Sequence, residues 1–190
     1  MSDTVLPRSA LTAAPRIGSA EGVLAIREHT GSTLLHLEGE RPGAELDAAL
    51  MTLGLPTLPM TGASDGRDGA RLLGIGPAIW LLVLNALVPP PTALGAAFDV
   101  ALDVSHAHTR LAISGSRAAD FIAKACALDL HPRIFRPGAC AATAFTGMRT
   151  ILWRTDPDGF DLLVGRSYTM SLWQWMTDAA TEFTTGTHDK

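Results

Sequence analysis

Histidine, aspartate and cysteine supply the residue types here that could do chemistry. His106 and His108 stand two apart on a stretch patterned like a strand, which would place them on one face, and Asp103 and His131 are conceivable further metal ligands. An isolated H-x-H lacks the spacing of a third and fourth ligand, so the expectation is strand or turn histidines and no metal site. Cys126 and Cys140 form no C-x-x-C pair, and neither has a neighbouring base in sequence to lower its pKa; both read as reduced, inert thiols. Asp129 follows a helical stretch in the run ALDLHP, and the ordinary role of such a carboxylate is to accept local backbone N–H groups. No G-x-G-x-x-G follows a strand, GIGPAIW puts a proline where a dinucleotide-binding helix would begin, and neither a Walker sequence nor G-x-S-x-G occurs. Motifs therefore assign no flavin or NAD site to this chain.

The elements that would position these residues are clearest in 98–175, which reads as one β-α-β-β-α unit. Val100, Leu102 and Val104 alternate with polar or small residues, as do Leu111 and Ile113. Ala118, Phe121, Ile122 and Ala125 then follow helical spacing, with Ser114 or Ser116 as the cap and Pro132 and Pro137-Gly138 as terminators. Strands are expected at 141–145, 150–153 and 160–164, the last two joined by the turn Asp156-Pro157-Asp158-Gly159. The final helix, 167–183, gathers Tyr168, Leu172, Trp175, Met176, Ala179 and Phe183 into one stripe. Trp173 lies on the flank of that stripe. Trp175 is thus expected in the core and Trp173 at an interface with a partner, because tryptophans are enriched among residues that dominate interfaces.

The earlier part of the chain repeats this unit. Strands are expected at 23–28 and 33–38, a helix from Pro42 with Leu46, Ala49, Leu50 and Leu53 inward, a polar loop over 62–69, and strands at 71–75 and 79–84. Laid on the later unit without a gap, Gly39 falls on Gly115, Arg41 on Arg117, Ala49 on Ala125 and Pro56 on Pro132. The fold class is α+β: two split β-α-β (ferredoxin-like) modules packed as one body, since one copy alone would leave a sheet face uncovered. The expected divisions are a flexible or partner-bound arm at 1–19, a first module at 20–88, a stiff proline-rich connector at 89–97, a second module at 98–183 and a tail at 184–190.

Composition narrows the class of partner. Charged residues make up 18% of the chain, against roughly 25% in an average soluble protein, which points to surface buried against another chain. The net charge of −4 and the lack of a Lys/Arg cluster argue against nucleic acid and anionic lipid. The most apolar window, 72–88, is interrupted by Gly74, Gly76, Pro77 and Asn85 and reads as buried strand, not a membrane span. The start lacks the apolar run of a signal peptide, and the expected location is the cytoplasm.

The runs LDLHPRIF, RPGACA and FDLLVGRSYTMSLWQWM, with GIGPAIWLLV before them, resemble the gamma subunit of heterotetrameric sarcosine oxidase. That family is in turn similar to the folate-binding domain of glycine-cleavage aminomethyltransferase, which implies a folate-binding-aminomethyltransferase-like body of two modules. The resemblance implies a non-catalytic subunit of a flavoenzyme that oxidatively demethylates sarcosine or a related N-methyl amino acid. It also implies alpha, beta and delta partner subunits, which would hold FAD, FMN, NAD, zinc and tetrahydrofolate, and no cofactor in this chain. Within the aminomethyltransferase pattern Asp129 occupies the position of a carboxylate that serves the folate-linked group, but Leu128 stands where the preceding Asn would be. Two alternatives accompany this reading: a working folate-dependent aminomethyltransferase-like protein, and the equivalent subunit of an N-methylglutamate-type dehydrogenase.

Overall fold

A computed structural model describes residues 9–11, 16–18, 22–40, 43–55, 57–67 and 69–184. In chain order the elements are β1 (Ile17–Gly18), β2 (Ala25–His29), β3 (Thr33–Glu40), α1 (Ala44–Leu53), β4 (Ser64–Arg67), β5 (Ala70–Gly76) and β6 (Ile79–Leu84). There follow α2 (Ala93–Ala97), β7 (Phe98–Asp103), β8 (His108–Ser114), α3 (Ala118–Ala123), β9 (Cys140–Phe145), β10 (Met148–Asp156), β11 (Gly159–Gly165), a 3-10 turn (Arg166–Tyr168) and α4 (Thr169–Thr184). The β9–β10 hairpin is tight because Thr146 and Gly147 both take positive φ, the turn whose twist matches that of the flanking strands.

The strands form two antiparallel sheets, ordered β1-β2-β8-β11-β10-β9 and β4-β5-β6-β3-β7. Apart from β1 the orders are the same, read as β2-β8-β11-β10-β9 and β7-β3-β6-β5-β4, so the repeat is real but its first strand is exchanged. Ile26 of β2 pairs with Ile113 in the sheet of the second half, and Ala101 of β7 pairs with Leu37 in the sheet of the first. Two split modules lying side by side would each keep their own first strand; here the halves interlock. The exchange also explains the missing hydroxyl cap on α3. Ser116 and Arg117 donate their backbone N–H groups to Gly22 and Val23 (3.2 and 2.9 Å), and α3 starts from Arg117 without a side-chain cap.

Other expectations need correction. Residues 62–69 are not wholly loop, since β4 pairs there with β5. The connector is not only a stiff spacer, because Leu94 and Ala97 of α2 are buried against α1. Parts of the N-terminal stretch pack on their own chain: Leu11 and Ile17 are buried, and Ser9 Oγ donates to Glu28. Arg41, Pro42 and Pro56, and the tail beyond Thr184, lie outside the described residues.

Helices cover the outer faces, and the inner faces meet. Phe160, Leu162 and Val164 of β11 point outward to Phe121, Ile122, Leu172 and Met176, while Leu35, Leu37, Leu72 and Leu82 meet Ala49, Leu50 and Leu53 of α1. A third, smaller core of Leu34, Leu73, Leu81, Val83, Cys140, Trp153 and Leu163 fills the space between the sheets. The stripe on α4 is rotated from the one expected: Leu172, Trp173, Met176, Ala180 and Phe183 are buried. Trp173 is only 6% exposed, because Leu11 and β1 close over that side of the helix and widen its buried face. The reason for placing Trp173 at a partner, that it has no core of its own, does not hold. Trp175 is half-buried, edge-on to Phe145 (5.5 Å) and tilted against Phe121 (5.9 Å).

Candidate functional site: the layer between the sheets

Period-two alternation decides what faces the inter-sheet layer. Turning Leu111 and Leu162 to the helices turns Arg110 and Asp161 inward. There the Arg110 guanidinium donates Nε and Nη2 to Asp161 Oδ2 (2.8 and 2.5 Å) and Nη1 to Asn85 Oδ1 (2.8 Å) and Ser32 Oγ (3.1 Å). The side chains are 7% and 5% exposed. Charges so desolvated persist only when paired and hydrogen-bonded, which this set achieves by drawing Asn85 and Ser32 from the first half. Arg110 and Arg71 also stand over the Trp153 ring at 5.8 and 5.7 Å from its centroid.

Cys140 closes the same layer. Its Sγ lies 3.3 Å from Ala63 O and 3.4 Å from Gly74 O, and burial pushes the thiol up to about 12, so it is not a nucleophile at neutral pH.

Elsewhere the sheets part to leave a cleft of about 390 Å³, floored by Ile79, Leu81, Ile151 and Leu163 and rimmed by His36, His108, Arg149 and Tyr168. His36 Nε2 is 2.6 Å from Glu38 Oε1. Burial holds His108 below the ordinary imidazole range; a hydrogen bond with Val104 O opposes this, and the neighbouring His36 and Arg149 add to the lowering. The cleft pairs an apolar floor with a polar rim that includes the Arg149 guanidinium.

The residues singled out by sequence do not converge there. Asp129 is exposed in the loop after α3, and its Oδ1 accepts the His131 N–H (2.9 Å), the local role expected of a turn aspartate. His131 Nδ1 in turn accepts the Arg133 N–H (3.2 Å). His106 is exposed in the β7–β8 turn, where Asp103 Oδ1 accepts from Ser105, so only His108 of the H-x-H pair reaches the layer. Among the described residues no three His, Cys, Asp or Glu side chains are grouped to hold a metal. Sequence reading missed Arg110 and Asp161. The available signal was an Arg and an Asp inside the apolar runs TRLAI and FDLLV, on the face opposite Leu111 and Leu162.

Comparison with known proteins identifies this architecture. Residues 91–182 match the model described as the sarcosine oxidase, gamma subunit family. Over 192 residues the chain is 30% identical to sarcosine oxidase subunit gamma of Arthrobacter sp, covering 95% of this chain and 92% of that one. The chain belongs to the sarcosine oxidase gamma subunit family. Subunit gamma of Corynebacterium sp. (strain U-96) is 32% identical over 172 residues, 87% of this chain and 83% of that relative. A chain in the structure of heterotetrameric sarcosine oxidase from Corynebacterium sp. U-96, in complex with pyrrole 2-carboxylate, superposes with a TM-score of 0.82 at 26% identity, covering 96% of this chain and 98% of that chain. Aminomethyltransferase T of the glycine cleavage system from Bartonella henselae gives a TM-score of 0.57 at 18% identity over 80% of this chain and 44% of that chain, a likeness of fold alone.

Proposed function

We propose that this gamma-family chain is the non-catalytic subunit of a heterotetrameric, sarcosine-oxidase-type flavoenzyme that oxidatively demethylates sarcosine or a related N-methyl amino acid. The carrying observation is the near full-length superposition on a chain of a heterotetrameric sarcosine oxidase. In this reading FAD, FMN, NAD, zinc and tetrahydrofolate belong to the alpha, beta and delta partners in the cytoplasm, and this chain supports them. What favours a supporting role is how its polar groups are spent. Asp129 is bonded to its own backbone, Arg110 and Asp161 to each other, and the Cys140 thiol is buried.

The test is co-expression of the chain with the three partner subunits. A complex containing this chain and oxidising sarcosine is expected. Asp129→Asn in that complex should change turnover less than about twofold, whereas a carboxylate acting in acid–base chemistry would cost on the order of a hundredfold. Failure of the chain to enter the complex, or that larger loss with normal assembly, would reject the reading.

A further inference from the structure

The internal repeat supplies its own template for an unfilled position. β2 is held on both sides, with Ile26 opposite Ile113 of β8 and opposite Ile17 of β1. In the other sheet β7 takes the place of β2, with Ala101 opposite Leu37 of β3, and among the described residues no strand lies on its far side. The Val104 N–H donates to Leu34 O (2.8 Å), which sets the phase of the ladder. By the alternation of an antiparallel pair, the N–H and C=O of Ala101 and Asp103 therefore turn to the open edge.

The side chains are open too. Val100 is 40% exposed and Leu102 57% exposed. Their register counterparts on β2, Ala25 and Arg27, are exposed too, but there the exposed positions hold a small and a charged residue and here two large apolar ones. Natural proteins cover, twist or charge such edges, since a bare one templates unwanted pairing. The charge here has one sign: β3 and β7 carry Glu38, Glu40, Asp99 and Asp103 and neither Lys nor Arg.

We propose that the open edge of β7 receives an extended segment of another subunit of the oxidase, paired antiparallel as β1 is on β2. Its apolar side chains lie beside Val100 and Leu102, and at least one Lys or Arg faces the carboxylates of the β3–β7 ribbon. Main-chain bonds along the edge supply affinity, and the alternating side chains supply selectivity. This rests on the subunit reading above, and the test separates the two.

Amide hydrogen exchange at Ala101 and Asp103 is compared between the isolated chain and its complex with the co-expressed partner subunits. Exchange at both amides should slow by about tenfold or more on assembly. Ala101→Pro removes an N–H that faces outward, a change edge strands tolerate, and should weaken assembly about tenfold while the isolated chain unfolds at the wild-type midpoint. Leu102→Lys should do the same, and Met51→Lys, at an exposed apolar residue elsewhere, should not. If Ala101→Pro lowers the midpoint of the isolated chain, Leu102→Lys and the exchange data decide. A wild-type complex with both amides unprotected overturns the edge proposal and leaves the subunit reading standing; no complex at all overturns both. Protection already present in the isolated chain would give the edge to a segment of this chain if monomeric, or to a second copy if dimeric, and either result overturns the proposal.

Discussion

Ala63 and Ala139 face each other in an antiparallel bridge, and the alignment that lays Gly39 on Gly115 lays these two on each other. The Ser64 N–H donates to Gly138 O (2.8 Å), and the Cys140 N–H donates to Gly62 O (3.0 Å). These bonds are the same interaction made from each half, so the halves meet here about a local two-fold relation. Together with the exchanged strands β2 and β7, this bridge makes the halves one unit, and disturbing either lock should be felt throughout.

Gly115 is the sharpest place to disturb it. Its φ is +123°, and a Cβ there would lie 2.5 Å from Val23 O and 2.7 Å from Val23 C, on the backbone leading into the exchanged strand. Gly115→Ala should lower stability by about 3 kcal/mol, combining left-handed strain with a backbone clash. Thermal unfolding of the variant should show one transition at a lower midpoint, because both sheets share the exchanged strands.

The Arg110–Asp161 pair should behave asymmetrically. Asp161→Ala leaves a buried guanidinium without its carboxylate and should cost about 3–5 kcal/mol, while replacing both residues, Arg110→Met with Asp161→Leu, should recover much of that loss. A double-mutant cycle by denaturant unfolding checks the coupling.

Acid should destabilise the fold through His108 and His29. Burial lowers both imidazoles below the ordinary value of 6.5, helped at His29 by the charge of Arg110. The unfolded chain therefore takes up protons first as pH falls. The stability of the native state is greatest above pH 6.5 and declines from there down to the lowered native pKa values. The unfolding midpoint measured from pH 7.5 to pH 5 should fall less steeply in His108→Gln than in wild type, about as far as one titrating group allows.

The two tryptophans of α4 should differ in the order set by burial. Trp173→Ala empties a site in the main core and should cost about 3–5 kcal/mol of folding stability, with Trp175→Ala costing less because its ring is partly in solvent. Equal losses, or a larger one at Trp175, would contradict the observed side of α4 as the buried one.

The chain itself determined the elements with local causes. The strands in FDVALD and FDLLVG, helical spacing from Ala118 to Ile122, the inward stripe of α1 and the Gly39–Gly115 repeat were legible, because side-chain period depends on the backbone within a few residues, although the half-buried face expected from Val100 and Leu102 is exposed. The runs LDLHPRIF and FDLLVGRSYTMSLWQWM likewise indicated the family. Which sheet β2 and β7 join was not legible: period two marks a strand and its two faces, not which strand lies beside it. Pairing across the repeat depends on Gly115 and Gly39 admitting the other half's backbone or side chain at close range, a condition met only once the halves are together. The same holds for Trp173, whose environment is completed by Leu11 and β1, and for Arg110, whose partners come from β11, from Ser32 and from Asn85. Burial of a flank residue or a charge is decided by what long-range packing brings to it.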